Sequence, residues 1–254
     1  MGVLADILAE KAVNLRELAT RKLPAPPARR PLSLTRAPGE PLRLIAEIKF
    51  RSPSAGALSG VLGVGERTAA YERAGASMVS VLTDARFFGG AWENLAEARA
   101  SCSLPLLCKE FVVDELQLDA ARSYGADAVL IIVRCVPHAR VRALVEGARA
   151  RGLEPFVEIT DDAEARVALD AGAMLVGVNA RDLDTLVMDA DRAARTLAAL
   201  PKDVTSVHLS GIAKPADVER LLATSAHAAL VGETLMRADD PEPLLRSLVR
   251  TARP

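Results

Sequence analysis

Glu47 and Lys49 close the apolar run at Leu44–Ile48 within L-I-A-E-I-K-F-R-S-P-S-A-G. Strand side chains alternate between faces, so these two share one, and an opposed charge pair ending a buried strand belongs in a cleft rather than a core. Lys109 with Phe111, Glu158, Asn179 with Arg181, and Ser210 stand at the ends of later apolar runs. Amines and carboxylates set side by side can move protons. Singly, each has a plainer explanation: Glu47 or Lys49 as an internal salt bridge, Lys109 as a loop cation beside Glu110, Glu158 as a carboxylate preceding a helix near Asp161. Gathered at one end of one fold, they would strand buried charge unless a ligand used them. Glu47, Lys49, Lys109, Glu158, Asn179 and Ser210 are therefore the catalytic candidates.

Two further groups fit a ligand. L-S-G-I at 209 and V-G-E-T-L at 231 place Gly211 and Gly232 where main-chain amides could approach an anion closely, although helix starts use the same residues. Phe87-Phe88-Gly89-Gly90 reads as a mobile apolar lid, and Phe111 adds a ring; in a chain only 3% aromatic, these suggest an aryl-binding wall, with ordinary packing as the alternative. His138, His208 and His227 are too dispersed to spell a metal site, and none is expected.

The elements that must position these groups are legible from periodicity. Residues 3–22 predict a helix with Leu4, Ile7, Leu8, Leu15 and Leu18 on one side, and the proline-rich stretch 23–41 predicts an extended linker over the surface. Apolar strands are predicted at 42–48, 78–83, 105–108, 127–133, 154–158, 174–178, 204–208 and 227–231. Helices are predicted near 65–75, 91–101, 114–124, 138–150, 162–171, 190–199, 215–223 and 241–251. Strands apolar on both faces and separated by helices mean a parallel sheet. Eight βα units in this length predict a closed (β/α)8 barrel, in which reactive groups sit at the C-terminal strand ends. The whole of 1–254 reads as one barrel domain, with 1–41 packed on it. No G-x-G-x-x-G follows the first strand, which weighs against a dinucleotide-binding sheet.

Composition narrows the partner. Half of the 254 residues are apolar and the net charge is −1, so no electrostatic footprint for nucleic acid or an anionic membrane is present and a small molecule is expected. Asp6, Glu10 and Lys11 interrupt the first apolar pattern, which excludes a signal peptide, and Ala128–Val133 is too short to span a membrane. Cys102, Cys108 and Cys135, odd in number and without C-x-x-C, suggest reduced thiols in a cytoplasmic protein.

A-E-I-K-F-R-S-P-S-A-G at 46, S-V-L-T-D-A-R-F-F-G-G at 80, C-K-E-F-V-V-D at 108, V-G-V-N-A-R-D-L at 176 and L-V-G-E-T-L-M at 230 together resemble the indole-3-glycerol phosphate synthase family of tryptophan biosynthesis, over nearly the whole chain. The resemblance implies a barrel lyase without a cofactor. It would cyclise 1-(2-carboxyphenylamino)-1-deoxyribulose 5-phosphate to indole-3-glycerol phosphate with loss of CO2 and water. By position, it implies Lys109 as general acid, Glu158 as acid or base in dehydration, Lys49 held by Glu47 near the reacting carbon, Asn179 orienting its neighbours, and Arg181 facing the anthranilate carboxylate. Ser52, Gly211, Gly232 and the amide of Glu233 would hold phosphate, with Ser52, Phe87, Phe88 and Phe111 around the substrate. Crowding Lys49, Lys109 and Arg181 in one mouth would help depress a lysine pKa for proton donation. A monomer or weak oligomer is expected, with contact to other tryptophan-pathway enzymes as an option.

Two departures from the family stand out. V-H-L-S-G-I at 207 replaces V-S-E-S-G-I, so Leu209 stands for a glutamate and His208 for a small residue. Parity puts His208 on the face of Ser210, either pointing into the site as a substrate contact or acting as a polar filler. Ala180 stands for a common asparagine and Ala55 for a common lysine. Two alternatives remain beside the lyase: a phosphoribosyl anthranilate-type sugar-phosphate isomerase, and a catalytically impaired paralogue that binds a ligand or partner.

Overall fold

The structure is a computed structural model that describes residues 2–253. Chain order gives α1 (Val3–Thr20), β1 (Arg43–Ile48), β2 (Arg51–Ser52), β3 (Gly56–Ala57), α2 (Val64–Ala74), β4 (Met78–Leu82), α3 (Ala85–Phe88) and α4 (Trp92–Ser101). Then come β5 (Leu106–Lys109), α5 (Glu115–Ser123), β6 (Ala128–Ile132), α6 (His138–Ala150), β7 (Glu154–Ile159), α7 (Asp162–Asp170), β8 (Leu175–Asn179) and α8 (Ala190–Ala199). The chain ends with β9 (Thr205–Leu209), α9 (Pro215–Leu222), β10 (Ala228–Val231), α10 (Glu233–Arg237) and α11 (Glu242–Thr251).

Eight strands, β1 and β4 to β10, pair in parallel and close on themselves, β1 meeting both β4 and β10. This is the predicted (β/α)8 barrel, and closure removes every exposed edge from it. Alternation along the strands splits the apolar residues into two sets. Ile45, Leu107, Phe156, Leu175, Val207 and Leu230 fill the interior, whereas Leu44, Ile48, Val81, Val129, Val157, Val178 and Val231 pack outward with the helices. Glu47, Lys109, Glu158 and Asn179 continue the inward parity at the C-terminal strand ends, one layer above the apolar filling.

Residues 2–41 close both ends. Leu4 and Ile7 of α1 join the interior cluster at the upper mouth, beside Phe111 and Ile132. The extended linker then runs to the opposite end, where Leu34 is buried in the same interior cluster. Arg30 donates to the carbonyls of Leu104, Arg99 and Cys102, and Arg36 to those of Ala226 and Thr224, so the prolines leave no regular element but the arginines satisfy carbonyls at the base of the barrel. Cys108 and Cys135 are buried and Cys102 half-buried, all as free thiols, and burial pushes each thiol pKa up. No helix among the described residues is long and apolar enough to cross a membrane.

Candidate active site

Two adjoining cavities open at the C-terminal mouth, and Glu47, Lys49, Ser54, Lys109, Asn179, Arg181 and Ser210 line both. The first continues to Ser52, Phe88, Phe111, Glu158, Leu130 and Ile132 under Leu4 and Ile7 of α1. The second runs over Leu209, Gly211, Gly232, Glu233 and Thr234. The first therefore adds aromatic and aliphatic residues to the shared charged set, and the second adds two glycines and the start of α10.

The charges alternate instead of crowding. Lys49 Nζ donates to Glu47 Oε1 at 2.6 Å, while Lys109 Nζ lies 3.6 Å from Glu47 Oε2 and 3.8 Å from Glu158 Oε2. Both of those Oε2 atoms are buried without a hydrogen-bond partner among the described residues. Burial alone would lower the Lys109 pKa, but the facing carboxylates of Glu47 and Glu158 outweigh it, and the net direction is up. The expectation that crowded cations depress a lysine here is corrected: Lys109 lies between two anions and stays an ammonium. For Glu47, burial works upward, yet Lys49 and Lys109 carry its pKa below the ordinary value.

A second network fixes Glu158. Asn179 Nδ2 donates to Glu158 Oε1 at 2.9 Å, and Asn179 Oδ1 accepts from Ser210 Oγ at 2.8 Å and the Arg181 amide at 3.0 Å. Arg181 donates to the Leu186 carbonyl and borders both cavities.

The glycines serve two purposes. Gly211 adopts φ 84°, which favours glycine. Gly232 has an ordinary negative φ of −124°, and what it provides is space: an added Cβ would lie 2.5 Å from Glu47 Oε1. Ser52 is buried, accepts from the Ala55 amide, and borders the aryl cavity; Ser54, which the sequence did not single out, borders both.

Phe88 and Phe111 face one another with ring centroids 5.9 Å apart, whereas Phe87 lies against the interior cluster beneath the Arg86 guanidinium. The segment read as a mobile lid is a capped helical turn. Asp84 accepts from the Phe87 amide and the Phe88 carbonyl accepts from the Phe50 amide, tying α3 to the β2–β3 hairpin.

Sequence reasoning missed Lys11. The residue is 1% exposed, and its ammonium lies 2.6 Å from both Asp84 and Glu110, the residues leading into α3 and Phe111. Helical spacing groups it with the polar residues of an amphipathic helix, and its one signal is that it stands four positions after Ile7 on the buried stripe.

His208 is turned away from the mouth. It is buried on the outer face of β9, lining a separate cavity with Leu197, Leu221 and Met188 between the sheet and α8 and α9. Inward-pointing Leu209 takes the mouth position, and the shared parity with Ser210 fails because Ser210 enters the left-handed region at φ 72°. Leu209 fits where Gly177 on β8 lacks a side chain: a Cβ there would lie 2.8 Å from Leu209 Cδ1. Ala180 is buried on the outer side, with the outward-packing cluster.

Residues 5–248 match the family model described as indole-3-glycerol phosphate synthase. The chain is 43% identical over 260 residues to indole-3-glycerol phosphate synthase 2 of Streptomyces coelicolor, covering 98% of this chain and 99% of that protein. It is 40% identical over 222 residues to the indole-3-glycerol phosphate synthase of an Exiguobacterium species, covering 87% of each. Among solved structures, a thiamine phosphate pyrophosphorylase from Pyrococcus furiosus superimposes with a TM-score of 0.62 at 15% identity, over 83% of this chain and 95% of that one, which speaks to the barrel alone.

Proposed function

The chain belongs to the indole-3-glycerol phosphate synthase family, and we propose that the residues converging at its mouth divide that reaction among them as follows. The activity is that of a carbon–carbon lyase forming indole-3-glycerol phosphate with loss of CO2 and water. In ring closure, the aromatic carbon bearing the carboxylate bonds to the sugar carbonyl carbon, and the carbonyl oxygen takes up a proton. The carboxylate departs as CO2, its bonding pair restores the aromatic ring, and the new hydroxyl then leaves as water while a neighbouring carbon gives up a proton.

Lys109 donates to the carbonyl oxygen. The observation carrying this is its placement within 4 Å of two buried carboxylate oxygens that have no other partner: the pair holds the ammonium protonated and aimed, and can accept from substrate hydroxyl or N–H groups. Glu158, oriented by Asn179 and Ser210, serves as acid or base in dehydration. Lys49, fixed by Glu47, and Arg181 face the substrate anions, the anthranilate carboxylate lying toward Arg181 and the aryl ring toward Phe88 and Phe111. Main-chain amides around Gly211, Gly232 and Glu233 take the phosphate, with Ser52 at the aryl-side rim.

We take residues 1–254 as one domain, supported by the buried ion pairs of Lys11. Unpaired thiols support a cytoplasmic location, in a monomer or weak oligomer that can meet other enzymes of the same pathway.

One observation favours a second reading, a paralogue that binds but does not turn over: Leu209 puts an apolar side chain in the phosphate-side cavity, beside Lys49 and Lys109. Incubating the purified chain with the arylamino-deoxyribulose phosphate beside a Leu209→Glu variant separates the two. Indole fluorescence from the unaltered chain supports the synthase. Product binding without turnover, with turnover restored by Leu209→Glu, transfers the assignment to the second reading.

A further inference from the structure

We propose that His208 is a positioning residue for this reaction, acting from behind the barrel wall through Ser210 and Asn179 on Glu158. It rests on Glu158 being the acid–base group assigned above. His208 Nε2 is 2.9 Å from the Ser210 carbonyl oxygen. A carbonyl only accepts, so Nε2 carries the proton and donates. That bond holds the backbone of Ser210 at φ 72°, a conformation disfavoured for a residue with a Cβ. The same conformation turns Ser210 Oγ onto Asn179 Oδ1 at 2.8 Å. With Oδ1 occupied by Ser210 and the Arg181 amide, the Asn179 amide can present only its Nδ2 to Glu158, at 2.9 Å.

Three consecutive hydrogen bonds thus connect an imidazole outside the sheet to a carboxylate inside it. Among the described residues the imidazole has no other polar partner, since Nδ1 is buried and unpaired. A side chain kept there with a partnerless nitrogen is explained by its one bond, to Ser210. Around the ring lie Leu197 and Leu221, with Asp191 from α8 and Asp217 and Arg220 from α9 as the charged groups of the same cavity. Asp217 is itself engaged by the Ala213 and Lys214 amides and by Arg220.

The two amide residues separate this role from simple filling. A glutamine carries its amide nitrogen at about the reach of imidazole Nε2, whereas an asparagine amide falls at the place of Nδ1 and cannot extend to Ser210. In the full chain, His208→Gln is expected to keep kcat within about threefold of wild type, while His208→Asn and His208→Ala lose about tenfold or more in kcat with KM changed by less than about twofold. In a Ser210→Gly background, where the hydroxyl link is already cut and the left-handed backbone costs nothing, His208→Ala should lower kcat no further. Equal losses for Gln and Ala, unchanged kcat in His208→Ala, or full additivity with Ser210→Gly would overturn the proposal. Glu158→Gln tests the underlying assignment separately: if it turns over normally, the role of Glu158 fails; if it is inactive while His208→Ala is not impaired, only the role of His208 fails.

Discussion

Gly232 leaves the space that Glu47 occupies. A Cβ at position 232 would lie 2.5 Å from Glu47 Oε1 and 3.1 Å from Lys49 Nζ, the two atoms of the ion pair at the mouth. The φ of Gly232, −124°, lies outside the left-handed region, and the nearest atoms that an alanine Cβ would meet are those of the pair. Gly232→Ala should therefore fold with a loss of about 1–3 kcal/mol from overpacking, yet lower kcat/KM by about tenfold or more as Glu47 and Lys49 separate. Urea melts beside steady-state kinetics test this; an alanine variant with wild-type kcat/KM would show that the pair need not be held.

Lys109 gives a prediction in pH. Its pKa is raised because Glu47 and Glu158 outweigh burial, so deprotonation in the free enzyme lies above the ordinary 10.5. The stabilisation from this raised value is present at neutral pH and lost as pH rises through the folded pKa. The alkaline limb of kcat/KM assigned to Lys109 should accordingly lie above 10.5, and Lys109→Met should abolish ring closure, a loss of about 10² to 10⁴ being ordinary for a proton donor. A limb near neutral pH that disappears in Lys109→Met would contradict the placement of the lysine between two anions.

Lys11 links stability to the site. Its ammonium neutralises Asp84 and Glu110, whose other oxygens cap the Phe87 amide and accept from Thr83, while Glu110 Oε1 also accepts from the Phe111 amide. Removing the cation leaves two buried carboxylates facing one another, at a cost of about 3–5 kcal/mol. Lys11→Met should therefore melt earlier and, where still folded, bind substrate more weakly because Phe88 and Phe111 lose their support. Adding Asp84→Asn and Glu110→Gln, which removes the stranded charge, should recover part of the stability. No recovery in that triple variant would mean that the lysine stem and not its charge holds α1.

Every barrel strand was legible to within a residue, because short runs apolar on both faces recur between helical periods and nothing else fits such runs. Glu47, Lys109, Glu158 and Asn179 followed from the same alternation. What alternation could not supply is what lies beyond a strand's last hydrogen bond. Ser210 leaves the extended region immediately after β9, so counting by twos placed His208 inside when it is outside. Lys11 was hidden for another reason: a buried cation and a solvated one look alike until the chain brings two carboxylates to it from positions 73 and 99 residues away. The aromatic segment at 87 reads as loose because glycines follow it, and nothing in the alternation signals the helical turn that Asp84 caps or the bond from the Phe50 amide.

The two partly or fully buried histidines of the barrel wall make stability sensitive to mild acid. His227 Nδ1 accepts from the Ser206 amide at 3.1 Å and so must be unprotonated, and His208 donates from Nε2 while its buried Nδ1 meets no acceptor for a second proton among the described residues. Both pKa values are lowered, in each case first by burial, with the Arg36 charge adding to the effect at His227. A depressed folded pKa means the unfolded chain binds more protons, so this stabilisation is complete above about 6.5, the unfolded value, and is lost as pH falls through the folded values. The carboxylates with depressed pKa values, Glu47 and Asp217 among them, add their own loss only below about 4.5. Melting temperature should thus fall in two stages, the first between pH 7 and 5, at about 2–4 °C for each kcal/mol lost. His208→Gln should shrink that first stage and leave the second intact; an unchanged first stage in a His208→Gln/His227→Gln double variant would assign the mild-acid loss to other groups.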